Sequence, residues 1–231
     1  MDPGKIRENL KRVRDEIAAI QAREGWSHPV RIVAVTKGHP PEVVRAAVEA
    51  GVEEIGENRV QEAMRKQEVL AQLPIRWHLI GHLQTNKAKY IPGRFEMVQS
   101  VDSQRVADAL ARAVRTRAAG GRLSVLLQVN LSGEPQKSGC LPDAAEELAH
   151  GIAAMEELRL EGLMTMAPLT DDEAVQRRVF GGLRELKSKL EKQGLDLPIL
   201  SMGMSGDFRS AVAEGATMVR LGTLLLGERT A

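Results

Sequence analysis

A lysine closes the most regular apolar run in this sequence. Arg31-Ile32-Val33-Ala34-Val35-Thr36-Lys37 is rich in β-branched and small apolar residues, and Gly38-His39-Pro40-Pro41 follows at once. A short, nearly continuous apolar run bounded by Gly and Pro predicts a parallel strand buried on both faces. Its carboxyl end would carry Lys37 to the rim of the sheet, half out of water. There partial desolvation favours the neutral amine, a nucleophile towards a carbonyl. The same position equally suits a solvated lysine that marks the end of a strand.

Two later stretches carry anion chemistry. Ser201-Met202-Gly203-Met204-Ser205-Gly206-Asp207 and Arg220-Leu221-Gly222-Thr223 each place small residues and hydroxyls directly before an expected helix start. Unpaired backbone N–H groups together with Ser and Thr hydroxyls form an anion site. Ser205 and Asp207 also suit ordinary N-capping of the next helix, and the two roles are compatible. Neither stretch matches the P-loop or the dinucleotide GxGxxG pattern. A nucleophilic lysine facing a phosphate site points to a phosphorylated carbonyl compound, and pyridoxal 5′-phosphate (PLP) fits: the lysine forms the aldimine and the loops hold the phosphate. Arg220 would then lie near the ring. A permanently charged arginine there disfavours a second positive charge on the pyridine nitrogen and makes the cofactor a poor electron sink. A salt bridge across the mouth of the fold is the competing role for Arg220.

These residues need a scaffold that brings distant strand ends together. Ile6, Leu10, Val13, Ile17 and Ile20 recur at spacings of 4, 3, 4 and 3, which predicts an amphipathic helix over residues 5–24 ending at Gly25. Strands are expected at 31–36, 53–57, 76–81, 95–100, 123–129, 159–165, 198–202 and 217–221. Helices are expected near 41–50, 58–71, 84–89, 103–119, 142–156, 171–193 and 206–214, with a terminal one from about 223. Strict alternation argues α/β with a parallel sheet. Eight strand–helix pairs favour a closed (β/α)8 TIM barrel, a single domain over 1–231 with residues 1–25 as an extra N-terminal helix packed on it. Chemistry in such a barrel gathers at the carboxyl ends of the strands, here Lys37, Asn58, His82, Ser100 to Ser103, Asn130, Thr165 to Met166, Ser201 to Ser205, and Arg220 to Thr223.

Composition removes several classes of function. Lys and Arg number 32 against 31 Asp and Glu, a formal charge of +1, so nothing supports a general nucleic-acid or membrane surface. Aromatics make up 3% of the chain, so the core must be built from Val, Leu, Ile, Ala and Met. The single cysteine, Cys140, allows no intrachain disulfide and no Cys-rich metal site. The N-terminus has no apolar leader, and nowhere do about 18 apolar residues run together. A soluble, cytoplasmic protein is the expectation, and the lack of a large apolar surface helix favours a monomer.

Several motifs together resemble the pyridoxal phosphate homeostasis protein family. They are Val33-Ala34-Val35-Thr36-Lys37, Gly56-Glu57-Asn58-Arg59-Val60-Gln61-Glu62 and Trp77-His78-Leu79-Ile80-Gly81-His82-Leu83-Gln84-Thr85-Asn86-Lys87. Gln128-Val129-Asn130 with Lys137-Ser138-Gly139, Gly162-Leu163-Met164-Thr165-Met166, Leu200 to Asp207 and Val219 to Thr223 complete the set, in order and across almost the whole chain. The resemblance implies the fold of the N-terminal barrel of alanine racemase. It implies that Lys37 carries the PLP aldimine, that Arg220 faces the ring nitrogen, and that Ser205, Gly222 and Thr223 hold the phosphate. Asn58 and His82 would line the pocket. The family binds and buffers the cofactor and affects amino-acid and keto-acid balance, with no established catalytic activity, so no catalytic residue is expected. Gly38-His39-Pro40 departs from the Thr-Lys-Pro more usual in that family and leaves the lysine intact.

The other reactive side chains have plainer expected roles. His39 reads as a solvent-facing turn residue, His78 as a satisfied core histidine, and Cys140 as a small apolar residue. Glu57 could act as a base or cap the second helix. Met164, Met166, Met202 and Met204 read as barrel filling. Arg105, Arg112, Arg115 and Arg117 read as a solvated helix face, as do Lys87 and Lys89. Two classes of function remain: a carrier that holds PLP and passes it to PLP-dependent apoenzymes, and an amino-acid racemase of the alanine racemase type. Racemisation needs an acid/base group on each face of the α-carbon. In alanine racemase the second is a tyrosine on an additional C-terminal domain, whereas this chain stops at Ala231 with Tyr90 as its only tyrosine. The carrier is favoured.

Overall fold

A computed structural model describes residues 2–117, 121–134 and 137–228. Eight parallel strands close on themselves in sequence order. They are β1 Arg31–Val35, β2 Glu54–Glu57, β3 Arg76–Leu79, β4 Met97–Val101, β5 Leu123–Gln128, β6 Leu158–Met164, β7 Ile199–Ser201 and β8 Met218–Leu221. Between them run α2 Pro41–Glu49, α3 Val60–Val69, a 3-10 helix Thr85–Tyr90, α4 Gln104–Thr116, α5 Pro142–Ala153, α6 Glu173–Lys192 and α7 Phe208–Ala213, with α8 Thr223–Leu226 after β8. This is the (β/α)8 barrel that the alternating pattern predicts.

The extra helix, α1, spans Pro3–Glu24. Asp2 caps it by accepting from the Gly4 N–H at 3.0 Å, Pro3 supplies a preset first turn, and Gly25 ends it at φ 78°. Its five spaced apolar residues, Ile6, Leu10, Val13, Ile17 and Ile20, are all buried, against α2, α7 and α8. Each such side chain contributes roughly 1.5–3 kcal/mol when fully buried.

The core divides in two. One layer lies between the barrel wall and the helices. A smaller cluster fills the barrel itself: Val33, Met97, Leu126, Met164, Ile199 and Met218, with Met166 packed against it. Because side chains alternate across a strand, Val33, Val35 and Lys37 share the inward direction while Ala34 and Thr36 face the helices.

The differences from the expected boundaries are local. Helix 58–71 begins only at Val60, since Arg59 is still extended at φ −129° and ψ 127°. The expected strand 95–100 runs instead over Met97–Val101, because Pro92–Phe95 forms a turn in which the Arg94 and Phe95 N–H groups return to Ile91 O. The 84–89 segment is the 3-10 helix, and residues 118 and 119 of the expected helix 103–119 lie outside the described residues.

Candidate functional site

The ladder register decides which strand ends meet. In the β1–β8 pair Val33 lies beside Arg220 and Ala34 beside Leu221, so the chain leaving β1 towards Lys37 rises next to Gly222 and Thr223. Thr36 N–H still donates to Gly56 O at 3.1 Å, and the chain then turns, His39 N–H returning to Thr36 O at 3.0 Å. Gly38 occupies the third position of that turn at φ 73°, a conformation that glycine adopts without strain. The departure from the usual Thr-Lys-Pro sequence therefore supplies a tight turn directly after the lysine.

On the facing side, Ser205 Oγ accepts from Gly222 N–H at 3.2 Å and from Leu224 N–H at 3.3 Å, which ties the loop after β7 to the start of α8. Ser205 thus caps α8 rather than the next helix in sequence. Asp207 does not cap α7 with its side chain either: its Oδ1 accepts from Met204 N–H at 2.5 Å and holds the loop closed. Burial pushes the Asp207 carboxyl up, partly offset by that N–H and by the charge of Arg220. Gly203 sits in the same loop at φ 94°, where an added Cβ would come 2.6 Å from Ala211 Cβ, so α7 packs directly on loop backbone.

Arg220 lies inside the barrel, 3% exposed. Its Nη1 donates to Ser201 Oγ at 2.7 Å and its Nη2 to Thr165 O at 2.8 Å. Among the described residues no carboxylate pairs with it directly, so the salt bridge considered above does not form. Burial lowers the guanidinium to about 10, which still leaves it protonated at neutral pH. The arginine also sets the direction of a chain of hydrogen bonds. Ser201 Oγ accepts from Arg220, so its proton goes to Gln99 Oε1 at 2.6 Å, and Gln99 Nε2 is left to donate to His78 Nδ1 at 3.0 Å. His78 Nδ1 is therefore the acceptor, and Nε2 carries the proton towards Glu54 Oε2, 3.5 Å away. Burial, with Arg31 and Arg76 nearby, lowers this imidazole to about 3, so it stays neutral. Arg31 and Arg76 in turn hold Glu54 at 2.9 and 3.0 Å.

Asn58 follows β2, half-buried, with its carbonyl so close to Gly81 that a Cβ there would approach to 2.4 Å. His82 stands at the end of β3 with its side chain 53% exposed and Nδ1 3.5 Å from Asp102 Oδ2. Asn130 ties down its own loop, donating to Glu134 O and Lys137 O at 2.9 and 3.2 Å. Cys140 is buried beside Val129, and burial, with Asp102, pushes its thiol up to about 11, so it is no nucleophile. Met164 and Met166 fill the barrel, Met202 belongs to the outer core, and Met204 is exposed. Glu57 neither caps a helix nor faces the mouth: it is fully buried behind the wall, 2.6 Å from Lys66 Nζ. Gln99 and Lys66 carry polar structure that the motif reading passed over. Lys66 had a signal, because Val60, Ala63, Lys66 and Leu70 fall on one helical face and all four are buried.

Comparison with known proteins agrees with this fold. The family model described as alanine racemase, N-terminal domain, matches residues 2–230. The pyridoxal phosphate homeostasis protein of Pseudomonas aeruginosa is 44% identical over 226 residues, covering 97% of this chain and 96% of its own. The solved structure of PipY from Synechococcus elongatus with PLP bound superposes with a TM-score of 0.84 at 36% identity, covering 96% of this chain and 100% of its own. Alanine racemase from Clostridium difficile shares the barrel alone: TM-score 0.76 at 17% identity, with 99% of this chain laid on 58% of the racemase. On its residues, its closed barrel and these relatives, the chain belongs to the pyridoxal phosphate homeostasis protein family.

Proposed function

We propose that this chain binds PLP at the carboxyl mouth of the barrel, holds it covalently and reversibly at Lys37, and serves as a carrier in PLP homeostasis and amino-acid and keto-acid balance. The observation that carries the reading is the β1–β8 register, which pairs Val33 with Arg220 and Ala34 with Leu221, so that Lys37 and Gly222 both follow the carboxyl ends of neighbouring strands, above Arg220. The relatives named for PLP homeostasis and the PLP-bound PipY support it.

The residues present fit such a cofactor. A Cβ at Gly222 would meet nothing closer than Val35 O at 3.5 Å, so internal packing does not require glycine there and its absence leaves room over the amides. Ser205 Oγ gathers the amides of Gly222 and Leu224 as their acceptor, which leaves its own hydroxyl hydrogen and that of Thr223 as donors suited to phosphate oxygens. When bound, PLP supplies an aldehyde that amines attack and a ring that can draw electrons from them. Lys37 Nζ would be the amine that holds the aldehyde carbon, a condensation that releases water and that hydrolysis would reverse. Arg220, fixed by two neutral acceptors, keeps its positive charge inside the barrel and would disfavour protonation of a pyridine nitrogen held near it. Asn58 and His82 border the mouth. The carrier reading comprises binding without turnover and release to PLP-dependent apoenzymes, and no residue is assigned a catalytic role.

Borohydride reduction of the protein incubated with PLP, followed by peptide mass mapping, tests the reading. The reduced adduct is expected on Lys37 and absent in Lys37→Ala. Adducts scattered over other lysines would refute the site, and turnover of an amino acid that Lys37→Ala abolishes would replace the carrier with an enzyme.

A further inference from the structure

The two peptide groups that flank Lys37 are both anchored to a buried charge cluster on the far side of the barrel wall. Lys66, from α3, is 4% exposed, and its Nζ donates to Thr36 O at 2.8 Å, to Glu57 Oε1 at 2.6 Å and to Glu62 Oε1 at 2.9 Å. Thr36 O belongs to the peptide bond entering Lys37. Glu62 Oε1 also accepts from Gly38 N–H at 2.6 Å, the N–H of the peptide bond leaving Lys37. Thr36 Oγ1 closes the ring by donating to Glu57 Oε1 at 2.5 Å. A single ammonium thus grips the backbone before the lysine directly and the backbone after it through one carboxylate.

Such a cluster is costly as a stabilising device. Glu57 is fully buried, and its second oxygen, Oε2, has no hydrogen-bond partner among the described residues. Apolar residues of similar volume would fill the gap between β2 and α3 at least as stably. What apolar residues could not do is hold a carbonyl and an N–H on either side of one residue. We propose that Lys66, with Glu57 and Glu62, is a positioning clamp that fixes the backbone of Lys37, so that its amine meets a carbonyl ligand in one orientation. The ligand half of this inference rests on PLP binding at Lys37; the anchoring half does not.

Two variants separate positioning from mere support. Glu57→Leu with Lys66→Met removes the two most deeply buried charges together and leaves Glu62, whose side chain is 29% exposed, to be solvated, so the barrel is expected to fold. Glu62→Ala, at the exposed edge of the cluster, frees Gly38 N–H and leaves the Lys66–Glu57 pair intact. Amide hydrogen exchange of ligand-free protein is expected to be about tenfold faster at Gly38 in both variants. PLP affinity, titrated by absorbance, is expected to fall about tenfold or more in both, with a smaller share of the borohydride-reduced adduct on Lys37. Folded variants with wild-type Gly38 exchange, or with wild-type affinity and all adduct on Lys37, would overturn the clamp. If the wild-type protein itself gives no Lys37 adduct, the PLP reading fails, and Gly38 exchange alone still decides whether the clamp exists.

Discussion

Replacing His78 with asparagine keeps a side-chain acceptor near Gln99 but removes a group that takes up a proton only when the chain unfolds. In the folded barrel, burial and the nearby Arg31 and Arg76 lower the imidazole from 6.5 to about 3. In the unfolded chain it titrates near its ordinary value of about 6.5. Between those values the unfolded state binds a proton that the folded state refuses, so falling pH favours unfolding. The contribution of neutral His78 is complete above about pH 6.5 and is lost progressively as the pH drops towards 3. At pH 5, about 1.5 units below the unfolded value, the loss is about 2 kcal/mol at roughly 1.4 kcal/mol per unit.

A chain of this size shifts its melting temperature by about 2–4 °C per kcal/mol, so the wild type should lose roughly 4–8 °C through this group between pH 7.5 and pH 5. The assay is thermal unfolding followed by near-UV circular dichroism at constant ionic strength. Other groups titrate over the same range, and the buried Glu57 and Asp207 carboxyls, both pushed up, act in the opposite direction. They are present in both proteins, so the difference between wild type and His78→Asn isolates the imidazole. The variant curve should be flatter on the acid side by that amount. Parallel curves would refute a neutral, Nε2-protonated His78, and with it the direction assigned to the chain from Arg220.

Ser201→Ala removes the oxygen between Arg220 and Gln99 and should cost about 2–4 kcal/mol, because a buried charged donor loses its partner; Ser210→Ala, also buried but with its Oγ donating to the neutral Gln176 Oε1 at 2.7 Å, should cost about 1 kcal/mol in the same denaturant titration. Equal costs would mean that Ser201 does not hold Arg220. Ser205→Ala deletes the acceptor shared by the Gly222 and Leu224 amides and should lower stability by about 1–2 kcal/mol, or roughly 2–8 °C; an unchanged melting temperature would show that those amides find their partners elsewhere.

The fold was legible because each strand–helix unit left its own local trace. Even β2 and β3, four residues each and weak by propensity, were fixed by the regular spacing of their neighbours. Lys37, Ser205, Arg220 and Gly222 were legible as strand-end residues, since alternation alone puts strand ends on one face of a barrel. What the sequence hid is pairing across the ladder. Nothing local tells Ser205 to cap α8 instead of α7, because its partners are the amides of residues 222 and 224. Nothing local couples Gln99 to Ser201 and His78, which are 102 and 21 residues away. Glu57 looked like a cap because a carboxylate before a helix often is one; that it turns outward to Lys66 follows from strand alternation once Glu54 is known to face the barrel axis.

The two residues central to the proposed site are anchored by opposite kinds of network. Arg220 sits among neutral acceptors inside the barrel, in a chain that ends on a neutral imidazole, so its charge is not cancelled where it faces the mouth. The backbone on either side of Lys37 is held by charges behind the wall, through Thr36 O and Gly38 N–H. A carboxylate paired directly with Arg220 would neutralise it, whereas hydroxyl and carbonyl acceptors hold it and leave its charge in place. The two networks are separated in space, one inside the barrel and one between β2 and α3, so the buried ionic cluster anchors the backbone after β1 without placing a carboxylate in direct contact with Arg220 on the adjacent strand.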